Sequence, residues 1–289
     1  MSRVNNDLPV EPIENATGPP FLTIPSKDHN VQVVILDDLP DGPLYELWSL
    51  LTGIAPVRLS AIRASPEEHQ SITDGLHPHN IIVPLPGGSN PLWQNDWEDR
   101  NCTDSVNLRV FVNRIKTHYM LTPLTKTPSR PKGMLNLLFI DRTGRRKLEG
   151  AEALLKAVEV KYPNVNVSSV DFELLSIPEQ LAMIQRTDIL VGVHGAGLTH
   201  TMFMTHGAVV EIRPPNFQHK GFKNLAQMMG IKYFTGHGEL PASHEIGTKP
   251  NWQTDDVAID QDSFLGLIDQ AIRGLRDDGS LKEVRGNLV

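Results

Sequence analysis

From residue 133 onward, apolar runs alternate with amphipathic stretches in a regular rhythm. Four short, largely apolar runs are typical of buried strands: Met134–Ile140, Ile189–Val193, Ala208–Ile212 and Ile231–Phe234. A fifth strand is predicted at Val165–Phe172, where polar residues interrupt the apolar ones. Between and after them, the spacing of apolar residues and the capping signals predict helices: Lys147–Lys161, Ser176–Arg186, Gly197–Met204, His219–Met229 and Asp262–Arg276. This alternation predicts an α/β domain of the Rossmann type, with a parallel sheet covered on both faces.

Before residue 133 the pattern is sparse and is interrupted by proline and glycine. It predicts only a few elements: a strand near Val33–Leu36, a helix near Leu44–Leu51, a strand at Ile81–Leu85 and a helix at Ser105–Tyr119. The proline-rich stretch Leu121–Lys132 is typical of a linker. We therefore expect two domains, a partial α/β domain over 1–132 and a complete Rossmann-like domain over 133–289.

Composition excludes several classes of protein. Twenty-seven basic against 34 acidic residues give a net charge of -7, which disfavours a nucleic-acid partner. No apolar stretch approaches the length of a membrane span, and the first residues lack the apolar region of a signal peptide. The single cysteine, Cys102, excludes an intrachain disulfide and a structural zinc site built from cysteines. Three sequons, at Asn15, Asn101 and Asn166, leave glycosylation open.

Basic residues follow the first strand of the second domain. Arg142, Arg145 and Arg146, with Lys147 next to them, lie where that strand is expected to end and a helix to begin. Ligands of open α/β sheets bind beyond the carboxyl ends of the strands, and guanidinium groups bind phosphate through paired hydrogen bonds. We expect these arginines to bind an anion, and the alternative is a solvated, charged loop.

A loop of small residues follows the third strand. It consists of His194, Gly195, Ala196, Gly197, Leu198 and Thr199. Such residues let backbone N–H groups approach an anion at the start of a helix. The glycines lack the spacing of the dinucleotide-binding fingerprint, which disfavours a nicotinamide cofactor. The alternative is that His194 packs on the turn and is bonded to the backbone.

Glu211 lies near the end of the fourth strand, where a carboxylate is costly unless it has hydrogen-bond donors. The two hydroxyls of a ribose could supply them, and a salt bridge with Arg213 or Lys223 is the alternative. Because the carboxyl ends of parallel strands share one edge, the arginines, the amides and this carboxylate are expected to converge. Together they predict a binding site for a nucleoside diphosphate with its ribose.

The residues around this loop resemble a known family. Asp188–His200, followed by Phe203, Gly207 and Ala208–Ile212, closely resembles the signature of glycosyltransferase family 61, which includes EGF-domain-specific O-GlcNAc transferases and plant xylosyltransferases. The Arg142–Arg146 cluster is also similar to that of the family. The block Pro84–Trp93 more loosely resembles fungal members. The resemblance covers about residues 134–240.

The resemblance implies a GT-B-like fold and an inverting transferase that moves GlcNAc or xylose from a UDP-sugar to a protein or glycan hydroxyl. It implies that no metal or other cofactor is needed. The one D-x-D sequence, Asp260-Gln261-Asp262, is instead interpreted as a helix cap. It also implies a location in the endoplasmic reticulum or Golgi lumen, although neither a signal peptide nor a membrane anchor is evident in this chain. Compared with full members of the family, the amino-terminal domain of this chain is expected to be shorter.

Three points stay open at the level of sequence. No catalytic base can be named, because Asp38, Asp41 and Glu46 have no distinguishing spacing. The oligomeric state is unknown. A truncated protein that binds nucleotide sugars without catalysis is the main alternative, whereas a hydrolase is disfavoured because there is no G-x-S-x-G elbow. A metal site at His77 and His79 is disfavoured. Trp93 and Trp97, which flank Asp96, are interpreted as local packing anchors, and stacking on an acceptor sugar is the alternative.

Overall fold

The computed structural model describes residues 32–42, 45–69, 96–119, 121, 133–244 and 247–277. Contacts divide these residues into two units, one with 32–69 and 113–118 and the other with 96–112 and the described residues from 119 onward. The boundary expected at 132/133 therefore does not coincide with the division by contacts, because residues 96–112 group with the carboxy-terminal sheet. The predicted strand Ile81–Leu85, the block Pro84–Trp93 and most of the predicted linker lie outside the described residues.

The first unit contains short elements. Strands β1 (Val34–Ile35) and β2 (Val57–Arg58) pair in parallel, and helix α1 (Leu47–Thr52) lies between them in sequence. Helix α2 (Leu59–Ala64) and a 3-10 turn at Pro66–His69 follow. Helix α3 (Val106–His118) is shared, since the boundary between the units falls within it.

The second unit is built on a sheet of five parallel strands in the order β4-β3-β5-β6-β7. The strands are β3 (Leu135–Asp141), β4 (Val165–Asp171), β5 (Ile189–Val193), β6 (Ala208–Arg213) and β7 (Lys232–His237). The predicted α/β class with a parallel sheet is confirmed. Among the described residues, no helix has both the length and the apolar character needed to cross a membrane.

Helices cover both faces of this sheet. Helices α4 (Ala151–Lys161) and α7 (Gln261–Asp277) pack on one face, against alternate strand residues such as Phe139 and Val210. The first half of α3, helix α5 (Ile177–Ile184) and helix α6 (Gly221–Met229) pack on the other face. Both faces of each central strand are thereby buried, which explains why the strands are almost unbroken apolar runs.

The strand order places the site. The first strand of this sheet in sequence, β3, is an interior strand that pairs with β4 on one side and with β5 on the other. The chain therefore crosses over in opposite directions from β3, which creates a topological switch point between β3 and β5. Ligands of doubly wound sheets bind in the crevice beyond the carboxyl ends of the strands at such a point. The loops that follow β3 and β5 are the two loops expected from the sequence to bind an anion.

Several predicted boundaries are wrong by a few residues. The helix predicted from Lys147 begins only at Ala151, because Leu148 forms a parallel bridge with Val257 and Gly150 adopts a left-handed conformation. The arginine cluster thus lies in a loop before that bridge and is not at the start of a helix. The last strand extends to His237, since β7 pairs with the whole length of β6.

Candidate functional site

The loop after β3 holds its arginines in a fixed arrangement. The backbone N–H of Arg142 donates to Asp141 Oδ1 (2.8 Å), and Arg142 Nε donates to the carbonyl of Arg145 (3.0 Å). Arg146 has a φ of 58°, a left-handed conformation that is uncommon for a residue with a Cβ atom. The side chain of Arg146 therefore leaves the loop in a direction that an ordinary turn would not give it.

The loops after β3 and β5 meet at Gly195. Arg146 Nη1 donates a hydrogen bond to the carbonyl oxygen of His194 (3.1 Å). A Cβ atom at Gly195 would overlap with Arg142 Nη1 and would lie 3.6 Å from Arg146 Cζ. Two guanidinium groups thus lie directly on the backbone of Gly195, and a Cβ atom there would have to displace the end of the Arg142 side chain.

Positive charge is concentrated at this contact. Arg146 is half-buried, and burial together with the neighbouring Arg142 and Arg145 lowers the pKa of its guanidinium. Within the described part of the chain, none of the three arginines has a carboxylate within 4 Å, and Arg146 Nε has no hydrogen-bond partner. The carboxylate of Asp171 acts on Arg142 beyond that distance. The three clustered cations still repel one another, so an anion bound here would relieve an unfavourable interaction.

The loop after β5 supplies backbone donors next to these arginines. A 3-10 helix spans Ala196–Phe203, and its first bond runs from the N–H of Leu198 to the carbonyl of Gly195 (3.0 Å). The N–H groups of Ala196 and Gly197 precede this first bond and so have no partner within the helix. The amide of Leu198, expected to face the ligand, is instead used inside the turn, and its side chain is buried in the core.

Gly197 has a structural role as well. A Cβ atom there would lie 2.9 Å from Ile140 Cγ2, so glycine allows the turn to pack closely on β3. Ala196 is exposed and Thr199 is half-buried. Of the small-residue loop, Ala196 and Gly197 offer backbone donors next to the arginines, and the contact expected from Thr199 stays a prediction.

Glu211 has partners that the sequence analysis did not identify. It is fully buried, and its Oε1 lies 2.5 Å from His194 Nδ1. Its Oε2 accepts a hydrogen bond from the hydroxyl of Tyr233, whose pKa is raised by burial and by this carboxylate. Both oxygens are thus engaged inside the protein, and the expected contact of Glu211 with a ribose stays a prediction.

The salt bridges weighed for Glu211 are not formed either. Arg213 Nε donates to Thr235 Oγ1 (2.9 Å), and Lys223 Nζ bonds to Asp99 (2.6 Å). Glu211 instead holds His194, because a carboxylate at Nδ1 fixes that nitrogen as the proton donor and leaves Nε2 as the reactive nitrogen.

Aromatic rings surround the imidazole of His194. Its ring centroid lies 4.5 Å from that of Phe217, 5.1 Å from Phe222, 5.2 Å from His219 and 6.0 Å from Trp252. Trp97 joins the same group through edge contacts with Phe217 and His219. We call this group the aromatic cluster; its members are Trp97, His194, Phe217, His219, Phe222 and Trp252.

Sequence reasoning did not identify most of this cluster, or Asp96 beside it. The sequence favours a packing role for Trp97 over stacking on an acceptor sugar, yet the residue is 59% exposed. His219, Trp252 and Asp96 carry no periodicity or motif, and they come from three distant stretches of the chain. Only the fold brings these residues next to the loop after β5.

The remaining acidic candidates have local structural partners. Asp260 Oδ1 accepts the N–H of Ser263 (2.8 Å) at the start of α7, which confirms the helix-cap interpretation. In the first unit, Asp41 bonds to Arg58 (2.6 Å) and Asp38 to the hydroxyl of Ser60 (2.5 Å). His77 and His79 lie outside the described residues, and inside them no three His, Cys, Asp or Glu side chains are placed to hold a metal ion.

Comparison with known proteins gives a family. The family model "Glycosyltransferase 61" matches residues 29–210, more than half of the chain. The "EGF domain-specific O-linked N-acetylglucosamine transferase" of Drosophila melanogaster is 30% identical over 203 residues, which are 66% of this chain and 37% of the relative. The protein of the same name from Xenopus laevis is 30% identical over 154 residues, 51% of this chain and 29% of the relative.

The protein of that name from Gallus gallus is 32% identical over 125 residues, 42% of this chain and 23% of the relative. The chain thus spans between about a quarter and somewhat more than a third of the length of these relatives. The resemblance carried by Asp188–Ile212 is confirmed by the family match, which extends well to its amino-terminal side. The chain belongs to glycosyltransferase family 61.

Proposed function

We propose that the second unit binds the diphosphate of a UDP-sugar between the loops after β3 and β5. The observation that carries this proposal is the meeting of Arg142 and Arg146 with the backbone of Gly195 at the switch point of the sheet. Guanidinium forks and free N–H groups at the start of a helix both favour phosphate oxygens.

The same groups suit the chemistry of sugar transfer. The oxygen of the acceptor hydroxyl attacks the anomeric carbon from the side opposite the diphosphate, its proton passes to a general base, and the bond from that carbon to the β-phosphate oxygen breaks. The electron pair of that bond leaves with UDP, so negative charge grows on the diphosphate in the transition state. Donors already aimed at that position stabilise the transition state more than the ground state. We therefore propose an inverting transferase that needs no metal, with a GT-B-like arrangement of its domains.

His194 is proposed to contact the donor through Nε2. Its Nδ1 is held by Glu211, and its carbonyl oxygen binds Arg146, so a single residue connects the buried carboxylate to the anion site. Glu211 is then a positioning residue that acts through His194. We propose this role in addition to the contact with ribose that the sequence predicts.

The substrates follow from the relatives. The names of these relatives specify an N-acetylglucosamine transferase acting on EGF domains, so we propose a UDP-GlcNAc donor and a hydroxyl on a protein as acceptor. A xylose donor and a glycan acceptor are the further options implied by the family resemblance. EGF domains are small secreted domains, and a location in the endoplasmic reticulum or Golgi lumen would match such an acceptor.

The test is a transfer assay with a binding measurement beside it. UDP-GlcNAc or UDP-xylose is mixed with the full chain and a folded EGF domain, and released UDP is measured together with calorimetric binding of UDP. We expect Arg146→Ala to weaken UDP binding, and Arg273→Ala, an exposed arginine on α7, to leave it unchanged. Binding with no turnover would favour the alternative, a nucleotide-sugar-binding protein without catalysis. Absence of UDP binding would refute the proposal.

A further inference from the structure

Asp96 is a buried carboxylate whose hydrogen-bonding capacity is not used. Its exposure is only 7%, and no described donor reaches Oδ1. The distance from its other oxygen to His219 Nε2 is 3.6 Å, and this is too long for a hydrogen bond. Burying a carboxylate without hydrogen-bond donors costs free energy. We therefore expect a ligand to supply a donor to the unpaired oxygen of Asp96.

The position of Asp96 is held firmly by helix α6. The N–H of Lys220 donates to the carbonyl of Asp96 (2.6 Å). Asn224, which is fully buried, donates to the carbonyl of Glu98 (2.9 Å) and accepts from the N–H of Arg100 (3.1 Å). The backbone around Asp96 is therefore anchored at three points. Its unused oxygen belongs to a built site and not to a loose loop.

Two exposed indole rings belong to the same aromatic cluster as His219, the residue that faces this carboxylate. Trp97 follows Asp96 directly and contacts His219 edge-on, with centroids 5.3 Å apart. Trp252 packs on Phe217 at 4.6 Å and remains 40% exposed. Aromatic surfaces with a small number of placed polar groups are typical of ligand sites. The apolar C–H faces of a sugar ring pack on indole rings, while its hydroxyls donate to a carboxylate.

The electrostatics of Asp96 also suit an accepting role. Burial raises the pKa of its carboxyl, whereas the facing charges of His219 and Arg100 act in the opposite direction and favour the charged form. A carboxylate of this kind accepts a stronger hydrogen bond from a hydroxyl than an amide oxygen does.

The aromatic cluster places this carboxylate beside the anion site. The ring of His194 lies 5.2 Å from that of His219, and the carbonyl of His194 accepts Arg146. We infer that Asp96 Oδ1 accepts a hydrogen bond from a hydroxyl of the donor's transferred sugar, with Trp97 and Trp252 against the ring. This assignment rests on the proposed function, and it names a sugar subsite next to the diphosphate site.

The experiment compares UDP with UDP-GlcNAc by calorimetry on the full chain. Asp96→Asn keeps the shape of the side chain but weakens its acceptor. We expect UDP-GlcNAc affinity to fall by about tenfold or more, while UDP affinity stays within about twofold. Asp104→Asn is the matched control, because Asp104 is an exposed carboxylate bound by Arg109 (2.6 Å), and it should change neither affinity.

Each other outcome contradicts the assignment in a different way. An unchanged ratio of the two affinities in Asp96→Asn overturns the donor-sugar contact, even if the KM for the acceptor rises. A parallel loss of UDP affinity would place Asp96 on the nucleotide. If the wild type does not bind UDP, the proposed function fails as well. Trp97→Ala, which removes an exposed ring, tests the same subsite should Asp96→Asn not fold.

Discussion

Replacing Gly195 with alanine tests the contact on which the anion site depends. The new Cβ atom would overlap with Arg142 Nη1 and would lie 3.4 Å from Arg142 Cζ. The backbone of Gly195 is extended (φ 167°), which alanine adopts without strain. The overlapping atom is the end of a flexible side chain, so Arg142 is expected to move while the fold remains intact.

The size of the effect follows from what is lost. A hydrogen bond between charged partners contributes about 1.5–3 kcal/mol. Displacing the Arg142 fork from the diphosphate should therefore weaken UDP binding by about 10- to 150-fold. The free energy of unfolding should change by about 1 kcal/mol or less, because no backbone strain or core cavity is introduced.

The assay is calorimetric titration of UDP, with unfolding in urea measured on the same samples. Gly144→Ala is the matched control: it lies in the same arginine loop, and a Cβ atom there meets nothing within 4 Å. It should leave UDP affinity unchanged. If Gly195→Ala binds UDP as tightly as the wild type, the arginines do not contact the diphosphate from their positions on Gly195.

Three further predictions concern the framework and the chemistry. Asn224→Ala removes two hydrogen bonds at a fully buried site and should lower the free energy of unfolding in urea by about 1–3 kcal/mol; an unchanged value would show that residues 98–100 are not anchored there. Burial holds the pKa of His200 below its ordinary value of 6.5, so the unfolded chain binds this proton more readily. Stability should then fall as pH drops below about 6.5, and His200→Gln should reduce this loss in thermal melts at pH 7.5 and 5.5; an identical loss in the variant excludes His200 as its source. Transfer activity should be insensitive to EDTA, because we propose that arginines and backbone amides take the place of a divalent ion; a strict requirement for manganese would contradict that proposal.

The sheet and the two loops of the anion site could be predicted from the sequence. Strands buried on both faces must be apolar along their whole length, so runs such as Ile189–Val193 show directly where they lie. In a parallel sheet the residues after each strand share one edge, which brings Arg142 and Gly195 into the same region. The position of these residues directly after their strands is sufficient to predict that the two loops lie close together.

Features that depend on contacts between distant segments could not be predicted. The late start of α4 results from the bridge between Leu148 and Val257, which are more than 100 residues apart. Glu211 was correctly expected to need donors, but nothing local shows that they are His194 and Tyr233. The proposed role of Asp96 could not be predicted from the sequence, because its position depends on hydrogen bonds from Lys220 and Asn224 to the backbone of residues 96–98.

Calorimetric titration of the wild-type chain with uridine and with UDP tests the central claim most directly. The two ligands share base and ribose and differ only in the diphosphate. Because Arg142, Arg146 and the free amides of Ala196 and Gly197 are proposed to bind that group, UDP should bind at least about 100-fold more tightly than uridine. Equal affinities for the two ligands would contradict the account.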